Sequence, residues 1–134
     1  MPAVIPAYLE QTYQWAYLDR RTMRWLDRSI VVSAILWGNA ARLMRSAVAE
    51  FAPGTQVLQA ACVYGQFSPM LAARIGPAGA LDLVDVAEVQ LDNARRKLAD
   101  QPQVRYRQAD LAAPASVPAA AYDGVCCFFL LHEV

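Results

Sequence analysis

The sequence lacks the features that mark several large classes of protein. Only 18% of its 134 residues are charged, and 12 basic side chains balance 12 acidic ones, so the broad positive surface of most nucleic-acid-binding proteins is missing. The longest apolar stretch, residues 30–37, contains a serine and falls well short of the roughly 18 residues that span a bilayer. The sequence therefore predicts no nucleic-acid partner and no transmembrane helix.

Cysteine is also scarce. The three cysteines, Cys62, Cys126 and Cys127, are odd in number, and two are adjacent. No C-x-x-C or Cys/His ligand spacing occurs, so neither a disulfide framework nor a zinc site is supported. The first basic residue is Arg20, after two acidic residues, which is unlike a secretory signal or a transit peptide. Together these features predict a cytoplasmic protein in a reducing compartment.

Hydrophobic residues, in contrast, make up 57% of the chain, which is enough for a folded core. Apolar residues recur every three or four positions over residues 6–51 and predict helix, so we assign residues 1–52 to an N-terminal helical segment or lid. Residues 53–134 alternate between short apolar runs and helical patterns. The runs predict strands over 56–63, 81–86, 104–108 and 122–128, with helices over 66–75 and 87–98.

This alternation predicts βαβ units, a parallel sheet and an α/β fold of the Rossmann-like kind. A ligand crevice is then expected at the carboxyl ends of the strands. Because doubly wound sheets usually carry more than four strands, we expect the chain to be a fragment that stops before the domain is complete.

The first strand and its turn read VLQAACVYG. This resembles the V-L-D-x-G-x-G-x-G motif of class I S-adenosylmethionine (SAM) dependent methyltransferases, whose glycines let the backbone approach the cofactor. Gln59 stands at the acidic position, Ala61 and Val63 stand at two glycine positions, and Gly65 is retained. The resemblance implies SAM as cofactor, bound by Gln59, Ala61, Tyr64 and Gly65.

The ends of the next strands extend this resemblance. Asp85, followed by Val86, lies about twenty residues past the glycine turn, where an acid can accept both ribose hydroxyls; a solvated strand-end acid or helix cap is the alternative. Asp110, followed by Leu111, stands where methyltransferases place an acid that contacts the adenine amino group. Asp123, before the fourth strand, is predicted to be structural.

Three further segments show a closer resemblance. The loop V-Y-G at residues 63–65, the run PAYLEQTYQWAYL at 6–18 and FFLLHE at 128–133 resemble the rhodoquinone biosynthesis proteins, which are related to quinone methyltransferases. That resemblance implies that a methoxy group of ubiquinone is replaced by an amino group, with SAM as nitrogen donor and a divalent metal, manganese (Mn²⁺). Gln66 departs from the acid expected in many relatives.

Candidate catalytic residues lie near both ends of the chain. Tyr13 and Tyr17 share a helix face and are either packing residues or part of a lid that stacks on the quinone. His132, the only histidine, is either a packing or capping residue, or a general base or metal ligand. The metal ligands are not identified by the sequence.

Alternatives to quinone amination are orthodox methyl transfer to a quinone or another apolar molecule, and a non-catalytic module with a SAM-type fold. A cluster of four arginines over residues 20–28 is either a solvated helix face or a contact with anionic lipid headgroups. With an apolar substrate, the second interpretation predicts peripheral attachment to the inner face of the cytoplasmic membrane.

Overall fold

The structure is a computed structural model that describes residues 21, 24, 39–62, 65–113 and 117–127. Arg21 and Arg24 are helical and exposed. The remaining elements, in chain order, are α1 (Ala40–Ala49), β1 (Gln56–Ala60), α2 (Phe67–Ile75), β2 (Ala80–Asp85), α3 (Glu88–Lys97), β3 (Val104–Gln108) and β4 (Gly124–Cys126). Among the described residues no helix is both long and apolar enough to cross a lipid bilayer.

The four strands form one sheet in the order β3-β2-β1-β4, and each neighbouring pair is parallel. The predicted parallel α/β architecture is therefore confirmed. The chain moves outward from β1 through β2 to β3 and then returns to the other side of β1. Such a reversal opens a crevice at the carboxyl ends of the strands, where ligands bind in sheets of this kind.

The main core lies between one face of the sheet and the helices. Val57 is level with Leu81, and Leu81 is level with Val104, so these side chains point to the same face. Apolar residues of the helices pack on that face, as the amphipathic spacing predicts. The fully buried members of this core are Val57, Phe67, Leu71, Ala72, Ile75, Leu81, Leu83, Leu91 and Leu98.

Two strands are shorter than the sequence predicts. β1 ends at Ala60 rather than at residue 63, because Ala61 has a φ of 70° and the left-handed region interrupts an extended strand. β4 begins at Gly124 rather than at residue 122. Just before it, Asp123 makes two bonds to Gln56, since its N–H donates to the Gln56 carbonyl and its Oδ2 accepts the Gln56 N–H, both at 2.8 Å, which agrees with the predicted structural role.

The turn between α2 and β2 fits tightly against the start of β1. A Cβ atom on Gly79 would lie 2.3 Å from Cγ2 of Ile75 and 2.5 Å from the Thr55 carbonyl oxygen. The Ala80 N–H donates to that same carbonyl at 3.1 Å. Only glycine leaves room for this approach, which fixes where β2 enters the sheet.

Candidate functional site

The candidate site lies where β1, β2 and β3 end at one edge of the sheet. β1 ends level with Val84 of β2, and Asp85 is level with Gln108 of β3. The turn after β1 therefore passes beside the last residue of β2. This arrangement brings three of the segments predicted to bind cofactor to a common edge.

Asp85 is the buried carboxylate of this edge. Its Oδ2 accepts the Cys62 N–H at 2.8 Å, and its Oδ1 accepts the Ala87 N–H at 2.9 Å. Burial raises the pKa of Asp85, and these backbone bonds oppose the rise. The Cys62 thiol and the Val86 N–H are further hydrogen-bond partners of this carboxylate, so protein donors surround it at the end of β2.

The β3 end is joined to the β2 end by two hydrogen bonds. The Ala109 N–H donates to the Asp85 carbonyl at 3.1 Å, and Gln108 Nε2 donates to the Val86 carbonyl at 3.1 Å. These bonds fix the direction in which the chain leaves both strands.

Asp110 and Leu111 follow directly and are both half-buried. The Asp110 Oδ1 accepts the Ala112 N–H at 2.9 Å, in the local turn that Asp side chains often form. The structure therefore places Asp110 two residues past the end of the neighbouring strand β3, whose last residue, Gln108, is level with Asp85.

The turn after β1 keeps two of the backbone conformations that its glycine-rich counterpart would have. Ala61 has φ 70° and Gly65 has φ 83°, so the first and last glycine positions of the motif are left-handed here. Alanine pays a steric cost in that region that glycine does not. The Ala61 N–H donates to the Val84 carbonyl at 2.7 Å, which holds the turn against β2.

Gln59 lies behind this turn and is fully buried. Its Nε2 donates to the Ala61 carbonyl at 3.1 Å and lies 2.9 Å from Oγ of Ser68, whose hydroxyl donates to Oε1 of Gln59 at 3.1 Å. We call these three residues the Gln59 network. It links the end of β1, the turn and the first turn of α2, so Gln59 is bonded both to the turn and to the helix that follows it.

Three residues that the sequence reasoning did not select also contact this region. Lys97, the only lysine, donates from Nζ to the Gly65 carbonyl at 2.6 Å. Ser68 completes the Gln59 network, and Cys62 is buried beside Asp85, so burial and the Asp85 charge raise the pKa of its thiol. The only signal in the sequence that could have identified Ser68 as a site residue is its position shortly after the turn. The helical pattern contains no signal that identifies Lys97.

Some predicted site residues lie outside the described residues, namely Tyr13, Tyr17, Tyr64 and His132. Within the described ranges, no three His, Cys, Asp or Glu side chains are placed to hold a metal ion. The residues that are described thus do not provide a manganese site, and we derive no step through a metal.

A second polar cluster lies on the opposite face of the sheet. Asp82 is buried in β2 and accepts hydrogen bonds from Arg105 Nε at 2.5 Å and from the Tyr122 hydroxyl at 2.6 Å. These bonds join β3 and the segment before β4 to the middle of β2. We assign this cluster a structural role, since each oxygen of the buried carboxylate accepts a hydrogen bond from a neighbouring segment.

Solved structures share this fold. A SAM dependent methyltransferase from Aquifex aeolicus is 19% identical with a TM-score of 0.63, covering 86% of this chain and 59% of that one. A candidate methyltransferase from Thermoplasma acidophilum is 24% identical with a TM-score of 0.50, covering 56% of this chain and 33% of that one. The fold is thus the Rossmann-like α/β fold of class I SAM-dependent methyltransferases, and this chain spans about three fifths or less of either relative.

The family follows from the sequence itself. Residues 57–134 match the family described as methyltransferase domain, and the chain belongs to that family. None of the functionally curated proteins matches the chain.

Proposed function

We propose that this chain forms the SAM-binding part of a SAM-dependent transferase that acts on an apolar small molecule. The observation that carries the proposal is Asp85. It lies at the tip of β2, beside the turn after β1, where a carboxylate can accept both hydroxyls of a ribose. In this proposal the ribose hydroxyls reach the carboxylate beside its protein donors, which include the N–H groups of Cys62 and Ala87.

The surrounding residues fit the other parts of SAM. The left-handed turn at Ala61 and Gly65 provides the close backbone approach that the cofactor needs. Lys97 places a positive charge at that turn, which favours a carboxylate such as that of the methionine part. Asp110 follows β3 and can accept a bond from the adenine amino group. Bound SAM supplies an electrophilic sulfonium centre.

Within this class, we propose quinone amination as the reaction, with ubiquinone as substrate and rhodoquinone as product. The support is the sequence resemblance over residues 6–18, 63–65 and 128–133, together with the replacement of the acidic position by Gln59 and of a glycine by Ala61. Tyr13, Tyr17 and His132 are the proposed catalytic residues. Methyl transfer to a quinone is the second candidate, favoured by the family match.

Two measurements test these proposals. Isothermal titration calorimetry with SAM should give saturable binding by the wild-type protein, and absence of binding would contradict the SAM proposal. Mass spectrometry after incubation with ubiquinone, SAM and Mn²⁺ should show a quinone that has lost a methoxy group and gained an amino group. A methylated product would instead establish methyl transfer.

Membrane attachment follows from the proposed apolar substrate. Arg21 and Arg24 are exposed on a helix, and clustered arginines are attracted to anionic lipid headgroups. We therefore propose peripheral association with the cytoplasmic face of a membrane. Co-sedimentation with vesicles containing phosphatidylserine should exceed that with phosphatidylcholine alone, and equal sedimentation would contradict it.

A further inference from the structure

The Gln59 network has a chemical requirement that the usual residue at this position cannot meet. The Gln59 side chain donates to the Ala61 carbonyl and accepts from the Ser68 hydroxyl. An amide can do both at once, whereas an ionised carboxylate only accepts. An acid at position 59 would therefore face the Ala61 carbonyl with two acceptors and no proton between them.

Burial increases the free-energy cost of placing these two acceptors against each other. Gln59 is fully buried and Ser68 nearly so, while Ala61 is half-buried, so an acid at position 59 would itself be removed from solvent. A buried acceptor that loses its donor costs the full desolvation penalty of the group. The amide at position 59 thus holds the carbonyl of residue 61, whose φ of 70° costs alanine more than it would cost glycine.

The same turn reaches Asp85. The Ala61 carbonyl accepts a hydrogen bond from Gln59, and the Ala61 N–H donates to the Val84 carbonyl. The next N–H along the chain, that of Cys62, donates to Asp85. Displacing the Ala61 carbonyl therefore moves a hydrogen-bond donor of the carboxylate that binds the ligand.

We propose that Gln59 is a positioning residue whose neutral amide holds the turn after β1 so that Asp85 is presented to the ribose of the cofactor. The inference rests on the proposed SAM binding. It assigns Gln59 a role that operates through Ala61 and Cys62, without contact between Gln59 and the ligand.

The test uses Gln59→Glu, which keeps the side-chain size and replaces the amide with a titratable acid. A buried carboxyl has a raised pKa, and its protonated form regains one O–H donor. At about pH 8 we expect Gln59→Glu to bind S-adenosylhomocysteine about tenfold more weakly than wild type, the effect of one unsatisfied buried acceptor. At about pH 5.5 the difference should shrink to about threefold or less, as protonation restores the donor.

Two further variants act as controls. Ala61→Gly in the Gln59→Glu background should recover most of the lost affinity at about pH 8, because glycine allows the carbonyl to turn away. Ser68→Ala should weaken binding without any change in its pH dependence, since it adds no titratable group. Wild type is measured at both pH values because other titratable groups surround the network: Cys62, Asp85, Lys97 and Cys126.

The outcomes separate the two proposals. Equal affinity of Gln59→Glu and wild type at both pH values would overturn the role of Gln59, as would a defect that is independent of pH. If Gln59→Glu does not fold at the higher pH, the Ser68→Ala variant decides. The proposed role of Gln59 is then overturned if Ser68→Ala binds S-adenosylhomocysteine as tightly as wild type does. If wild type itself does not bind S-adenosylhomocysteine, the SAM proposal fails. The Gln59 network is then tested by the melting temperature of Gln59→Glu, which should show the same pH dependence and the same rescue by Ala61→Gly.

Discussion

Replacing Asp85 with alanine tests the candidate site and the local fold together. The carboxylate is the acceptor for two backbone N–H groups, of Cys62 and Ala87, at 2.8 and 2.9 Å. Both donors lie in buried residues, so Asp85→Ala leaves two N–H groups without an acceptor at the end of β2. The same change removes the proposed acceptor for the ribose hydroxyls.

The magnitude follows from these contacts. Each unsatisfied buried donor costs about 1–3 kcal/mol, and the sum is reduced because the variant no longer buries a carboxylate whose pKa is raised by burial. We expect a net loss of about 2–4 kcal/mol in the free energy of unfolding. For a domain of this size, that corresponds to a fall in melting temperature of about 10 °C. SAM binding should weaken by at least about a hundredfold, since two charge-assisted hydrogen bonds are lost.

Asp110→Ala is the matched control. Its carboxylate accepts one backbone N–H, in an exposed turn, so the melting temperature should change by less than about 2 °C while SAM affinity falls moderately. Differential scanning calorimetry and isothermal titration calorimetry measure the two quantities. If Asp85→Ala has the melting temperature of wild type, the reasoning that this carboxylate stabilises the turn is refuted. If its affinity for SAM is unchanged, the proposed role of Asp85 in ligand binding is refuted.

Three further outcomes are expected. In urea, Gly79→Ala should lower the free energy of unfolding by about 3 kcal/mol or more, because the added Cβ would overlap the backbone of Thr55. Gly54→Ala should lower it by about 1 kcal/mol, because that position has φ +80° but open space around it, and equal losses would contradict this distinction. Lys97→Met should weaken SAM binding by about threefold to tenfold, since the bond to the Gly65 carbonyl is lost, and calorimetry of the two proteins checks it. SAM affinity should fall as the pH falls through the raised pKa of Asp85, because protonation removes a hydrogen-bond acceptor. The stability that this group gives the unliganded protein should change in the opposite direction: it is present below the unfolded pKa of about 4 and is lost as the pH rises through the folded pKa. Affinity and unfolding are each measured over a pH series against Asp85→Asn, and two trends in the same direction would contradict the prediction.

Several features of the fold were determined by the sequence itself. Short apolar runs separated by helical patterns predict βαβ units, because strands buried on both faces must be apolar and parallel strands need crossovers. The central parts of the four strands and of the helices at 67–75 and 88–97 were located correctly for the same reason. The placement of Asp85 and Asp110 at strand ends follows from the positions of those strands.

Only the tertiary structure decided how the site is held. The propensity of alanine does not predict that Ala61 is left-handed and that β1 therefore ends at Ala60. In the folded protein Ala61 is held by one hydrogen bond from Gln59 and one to the Val84 carbonyl. The contact of Lys97 with Gly65 joins residues 32 positions apart, and no local pattern encodes such a pairing. A sequence reports each residue's preference, but the partner that satisfies a buried polar group is chosen by which elements pack together.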